Sequence, residues 1–188
     1  MSLIGKYTGL FAVGVLFVGC FSSGVFAAEQ GIRLNVPLVG QMAFGNRLGP
    51  NQPGSMACWY AAACMVSYYF EVGPRLGLPS VWESNSGLTA SDVDRLAKIE
   101  GLIVPPHVPG PLDGPMILEI LKAFGPIWVA GHYLEGDPYA THAIVITGVD
   151  SSFVFFNDPW EPKAKRRPCG WIAEHILELP NAILVKRR

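Results

Sequence analysis

The chain has 188 residues and a net charge of −1, enough length for a packed core and no excess of either sign. Half of its residues are hydrophobic and only 15% are charged, which excludes a nucleic-acid partner or a strongly acidic one. Sixteen prolines and 21 glycines imply extensive ordered loops, and no repeat, heptad pattern or low-complexity tract is present.

The N-terminus reads as a targeting segment. Lys6 precedes Gly9 to Phe21, a run without charged or hydroxyl residues, and Val25-Phe-Ala27 offers small or β-branched residues at −3 and −1 of a cut after Ala27. The apolar run is too short for a transmembrane helix. Phe17 argues against a lipoprotein cut before Cys20. Residues 1–27 are therefore expected to be a signal peptide, with 28–188 a single exported domain and no stable membrane span.

Removing residues 1–27 leaves Cys58, Cys64 and Cys169, an odd count that implies a free or specially employed thiol. Cys64 and Cys169 fit either a disulfide or two separately buried thiols. No paired Cys/His spacing suggests zinc, and no cofactor or metal is expected.

Gly31 to Val39 alternates and predicts a strand. Gln41 to Ser55, with five Gly or Pro residues, predicts a loop. A helix is then expected to start near Ser55 or Met56 and to stop at Gly73-Pro74. Cys58, Ala61, Ala62, Met65, Val66 and Tyr69 form one apolar stripe, and the opposite face has no charge before Glu71, so this is a core helix. Cys58 lies in its first turn, where unpartnered N–H groups and the helix dipole favour thiolate over thiol.

A second helix opens at Thr89 to Asp94 with Ser91 as cap and Val93, Leu96 and Ala97 inward, and Gly101 ends it. Val104 to Pro115 holds five prolines in twelve residues and reads as a crossing between two lobes. A third helix spans about Pro115 to Phe124. Strands follow at Ile127–Ala130, His142–Val149 and Ser152–Asn157, then a short helix over 171–178 and a last strand at Ala182–Lys186. The pattern is α+β, with a helical lobe at about 40–103 and a β lobe at about 116–188.

A turn at Asp150-Ser151, with Val149 opposite Ser152, pairs His142 with Pro159. A one-residue change of turn length sets His142 opposite Asp158, with Cβ atoms about 5 Å apart. An imidazole beside a carboxylate is the base and orienter of a nucleophile–base–acid triad. His132 after a strand, His107 in the Pro-rich crossing and His175 in a possible helix among Glu174 and Glu178 read as solvated or packed histidines. The basic runs Lys163–Arg167 and Lys186–Arg188 read as solvated surface.

Further spacings carry a resemblance. Gln52 is six residues before Cys58, Trp59 follows it directly, and Trp160 is two residues after Asp158. With the chain order Cys, His, carboxylate, the sequence resembles the papain-like cysteine proteases. Ala57 to Val66, Gly73 to Pro79 and Asn157-Asp-Pro-Trp160 look closer to a bacterial branch that includes effector proteases delivered by plant pathogens through type III secretion.

The resemblance implies a papain-like two-lobe fold and hydrolysis of protein or peptide substrates through an acyl-enzyme. It makes Cys58 the nucleophile, His142 the base and Asp158 the residue that orients it. Gln52, with the Cys58 backbone N–H, receives the oxyanion. Gln41 is a rival for Gln52, without a fixed spacing to Cys58, and Asn157 is a rival for Asp158. Type III secretion uses no cleavable hydrophobic signal, so that branch's delivery route and host target do not carry over. No pro-segment is recognisable before Arg33. Two other classes use the same residues or fold: a peptidoglycan amidase or endopeptidase, and an inactive binding module.

Overall fold

The computed structural model describes residues 31–44, 56–71, 73, 77–78, 80–81, 84–106, 110–134, 136–137 and 139–187. The predicted signal segment, Gln52 and His107 lie outside them.

Strand β1 is Ile32–Arg33, followed by a 3-10 turn at Gln41–Phe44. The expected strand to Val39 is cut short for a backbone reason. Leu34 N–H still reaches the Thr147 carbonyl at 2.8 Å, but Val36 N–H turns back to the Leu34 carbonyl and Pro37 has no N–H to give.

Helix α1 is Cys58–Tyr69, shorter at both ends than its periodicity predicts. Ala57 precedes it without a side-chain cap, and Phe70 closes it. The positive φ that ends it falls first on Glu71, at 59°, before Gly73 at 71°. Trp59 to Ser67 are all buried, as a helix without a polar face requires.

Helix α2, Ala90–Glu100, is capped by Thr89 rather than Ser91. The Thr89 hydroxyl accepts from Asp92 N–H and the Asp92 carboxylate accepts from Thr89 N–H, a reciprocal pair that starts the helix at Ala90 and leaves Ser91 inside its first turn. Gly101 ends it at φ 65°. A strand that composition does not announce, β2 (Leu102–Ile103), follows. Asp113 then caps α3, Gly114–Phe124, by accepting from Met116 N–H at 3.0 Å.

Strands β3 (Ile127–Gly131), β4 (His142–Val149), β5 (Phe153–Asp158), β6 (Lys163–Pro168) and β7 (Ile183–Lys186) complete the chain, with helix α4 (Trp171–His175) between the last two. The seven strands form one antiparallel sheet in the order β2-β7-β3-β4-β5-β6, with β1 on β4. This is the α+β class that the sequence predicts.

Alternate residues of the central strands feed two apolar clusters. Trp128, Ala143, Val145 and Leu184 pack with α1 and α2, whereas Ile127, Val129, Ile144, Ile146 and Val185 pack with α3 and α4. The Pro-rich segment between β2 and α3 thus carries the chain from one face of the sheet to the other. Among the described residues, no helix is long and apolar enough to cross a membrane.

Candidate active site

The N-terminus of α1 meets the open ends of β4 and β5. Cys58 is the first residue of α1, half-buried, with the uncapped turn behind it and no acidic side chain in that turn. Its N–H groups therefore direct their positive field at the sulfur. The first turn is fixed in place by Trp128 of β3, whose Nε1–H donates to the Trp59 carbonyl at 3.0 Å.

His142 opens β4 and is 4% exposed. Its Nε2 lies 2.8 Å from Oδ1 of Asp158, the last residue of β5, and the Cys58 side chain is close enough to act on the same imidazole. The three residues singled out in the sequence therefore converge. They converge by a different register from the one expected, however. The hairpin pairs Val149 with Val154 and Gly148 with Phe155, then slips at Ile146/Gly148 to pair Ile146 with Phe156 and Val145 with Asn157. Carried one rung on, this sets Asp158 opposite Ile144, so the contact with His142 is diagonal rather than direct. The irregularity at Thr147 is what moves the rung, and turn length alone does not contain it.

Electrostatics make His142 and Asp158 an ion pair in waiting. Burial alone disfavours an imidazolium, but the hydrogen bonds to Asp158 and Cys58 outweigh it and raise His142 to about 9. Burial likewise favours a protonated Asp158. The His142 and Lys165 hydrogen bonds and the Trp160 N–H overcome that and hold Asp158 at about 2.

Asn157 takes no part. Its Nδ2 donates to the Val36 carbonyl at 3.0 Å on the other side of β5, as alternation along a strand demands. Trp160 contributes its backbone N–H to Asp158 Oδ1 at 2.9 Å, while its side chain is 43% exposed at the cleft.

Gln41 is the residue whose place the sequence conceals most. It is buried, lines the same cleft as Cys58, His142 and Trp160, and its N–H donates to the Pro159 carbonyl at 2.9 Å. The turn after Asp158 thus anchors it, not its spacing to Cys58. The cleft opens into an apolar pocket of about 480 Å³ walled by Leu88, Val93, Trp128, Leu134, Leu177 and Leu179.

One further expectation changes. Lys165 is not solvated: it is 11% exposed and ion-paired to Asp158 at 2.7 Å and Glu161 at 2.9 Å. Lys-Ala-Lys-Arg-Arg carries no apolar alternation that would mark a strand there, and only the pairing of β6 with β5 turns Lys165 inward. His132 and His175 share a separate pocket with Trp171 and Arg167, away from Cys58. The three cysteines among the described residues, Cys58, Cys64 and Cys169, are free, with Cys64 fully buried and Cys169 half-buried.

A helix that begins with a cysteine, packed across an antiparallel sheet from a His–Asp pair, is the arrangement of a papain-like cysteine peptidase. A family profile described as Papain-like cysteine protease AvrRpt2 matches residues 34–174, and the chain belongs to that family. A solved structure of similar fold is a double glycine motif protease from an AMS/PCAT transporter, crystallised with a leader peptide. The TM-score is 0.50 at 20% identity, over 84% of this chain and 96% of that one.

Proposed function

We propose that this peptidase hydrolyses peptide bonds through Cys58, His142 and Asp158, by way of an acyl-enzyme. The observation that carries the reading is the shared imidazole. It is bonded to Asp158 at 2.8 Å through Nε2, lies beside the Cys58 sulfur, and is raised to about 9 by the two together. Raised to about 9, His142 already holds the proton as imidazolium beside the Cys58 sulfur, and that sulfur attacks the carbonyl carbon of the scissile bond. The imidazolium then protonates the departing amine, and water, deprotonated by the same imidazole, releases the acid.

The tetrahedral oxyanion is received by the Cys58 backbone N–H and by a glutamine side-chain amide: Gln41 lines the cleft, and Gln52, the residue expected from its spacing, lies outside the described residues. Such a donor is worth about 10²–10³ in kcat. The apolar pocket beside Cys58 favours a protein or peptide substrate carrying a large aliphatic or aromatic side chain. The same pocket makes a peptidoglycan stem, with its carboxylates and amines, the weaker candidate. The leader peptide bound to the similarly folded transporter protease agrees with a peptide substrate.

The apolar run before Ala27 supports export to the periplasm or the medium, with a mature chain from Ala28. One experiment tests both halves. Protein recovered from an exporting host is sequenced at its N-terminus and then titrated with a thiol-directed epoxide during peptide hydrolysis. Export and a cysteine mechanism predict a start within a residue or two of Ala28 and stoichiometric loss of activity with label on Cys58. An intact Met1, or full activity after labelling, rejects the respective half.

A further inference from the structure

We propose that Lys165 is a positioning residue of this site: through Asp158 it aims the His142 imidazole and limits how tightly that imidazole holds its proton. The inference rests on the Cys58–His142–Asp158 reading. Asp158 sits on the middle one of three strands and is gripped from both sides. From β4, His142 reaches Oδ1, and from β6, Lys165 Nζ reaches Oδ2 at 2.7 Å. The Trp160 N–H adds a third bond, to Oδ1 at 2.9 Å. In the β5–β6 register Lys165 pairs with Phe156 and Lys163 with Asp158. The Lys165 contact is thus diagonal, like that of His142 on the other side.

A carboxylate held only through Oδ1 can rotate about its Cβ–Cγ bond. One held at both oxygens by groups on different strands cannot, and the imidazole bonded to it inherits that orientation. Glu161, in the turn between β5 and β6, accepts from the same ammonium at 2.9 Å and keeps it in place. The β6 cation is also a counterweight. A carboxylate facing only imidazolium stabilises it strongly, and an imidazolium too stable is a poor acid for the leaving amine. The Lys165 charge beside the far oxygen reduces that stabilisation. The charged and titratable groups around the imidazole are then Cys58 from α1, Asp158 from β5, and, behind Asp158, Lys165 from β6 and Glu161 from the turn. Lys163, by contrast, is 60% exposed and reaches only Glu161.

The test compares Lys165→Met, Lys165→Arg and Lys163→Met with the wild type by two readouts. The first is the pH profile of kcat/KM with a peptide substrate. The second is an NMR titration of the His142 ring, which needs no turnover. Loss of the nearby cation should move the His142 midpoint and the alkaline limb up together, by about one pH unit in Lys165→Met. At neutral pH kcat should fall about tenfold with KM within about twofold, because positioning is lost while binding is kept. Lys165→Arg should restore the midpoint, and Lys163→Met should change neither readout.

A His142 midpoint unmoved in a folded Lys165→Met would overturn the proposal, as would the same drop in activity from Lys163→Met. Should Lys165→Met not fold, Lys165→Gln, which keeps a donor and loses the charge, is read by the same midpoint. If the midpoint moves while the wild type shows no peptide hydrolysis, the electrostatic coupling stands and the peptidase reading fails instead.

Discussion

The indole of Trp128 donates to the carbonyl of Trp59 across 3.0 Å, so the strand next to the His142 strand holds the first turn that carries Cys58. Nucleophile and base sit on elements far apart in sequence, and this bond fixes their separation. Trp128→Phe keeps the ring packing and removes the donor that ties β3 to the helix, at a cost of about 0.5–1.5 kcal/mol. Thermal unfolding should show that loss. Steady-state kinetics should show kcat falling more than KM changes, since the displacement lies between Cys58 and His142. A variant with wild-type kcat would mean that the helix is positioned by packing alone.

The three free cysteines should separate cleanly by reactivity. Cys64 is fully buried, and burial together with the nearby Glu100 carboxylate pushes its thiol up to about 12. Cys169 is also raised, by burial and by Asp150 and Asp113. Iodoacetamide at neutral pH should therefore label Cys58 first, and peptide mass mapping reads the order. Cys58→Ala should abolish hydrolysis with the fold intact. Cys64→Ala should mainly lower stability, by about 1–2 kcal/mol for the small cavity.

Asn157 and Asp158 provide a test one residue apart. Asp158→Ala should lower kcat by about 10²–10⁴, less than loss of Cys58 or His142, and Asp158→Asn should be milder than Ala because an amide oxygen still accepts the imidazole N–H. Asn157→Ala removes the bond to the Val36 carbonyl. It should reduce stability and leave kcat near wild type. The reverse pattern would contradict the assignment of Asp158.

The pH dependence has a defined sign on each side. His142 is raised from 6.5 to about 9, so its contribution to stability is complete below 6.5 and is lost as the pH rises through 9. Asp158 is lowered from 3.8 to about 2, so its contribution is present above 3.8 and is lost as the pH falls towards 2. Urea midpoints should therefore be highest between about pH 4 and 6.5 as far as this pair is concerned, and His142→Ala should flatten the alkaline decline. In Cys58→Ala the His142 midpoint should drop, since the Cys58 sulfur, paired with the imidazolium, is one of the groups that raise it.

Local chemistry was enough for the elements of this site. An uninterrupted apolar run, with a cysteine in its first turn, can only be a core helix with a sulfur at its positive end. A histidine and a carboxylate at facing ends of two β-rich runs can only meet at the edge of a sheet. Alternation also separates Asn157 from Asp158 without any structure, because neighbouring residues of a strand point to opposite faces. The register was another matter. It depends on the slip at Ile146/Gly148, which arises where β1 and Leu34 also pack on β4, and no count of turn residues contains it. Gln41 was legible as a rival but not as the residue in the cleft, because its anchor is the Pro159 carbonyl more than a hundred positions away. Lys165 looked like one charge in a solvated run. Only the pairing of β6 on β5 places its ammonium against the far oxygen of Asp158, where burial opposes the charge and the Asp158 and Glu161 carboxylates outweigh it.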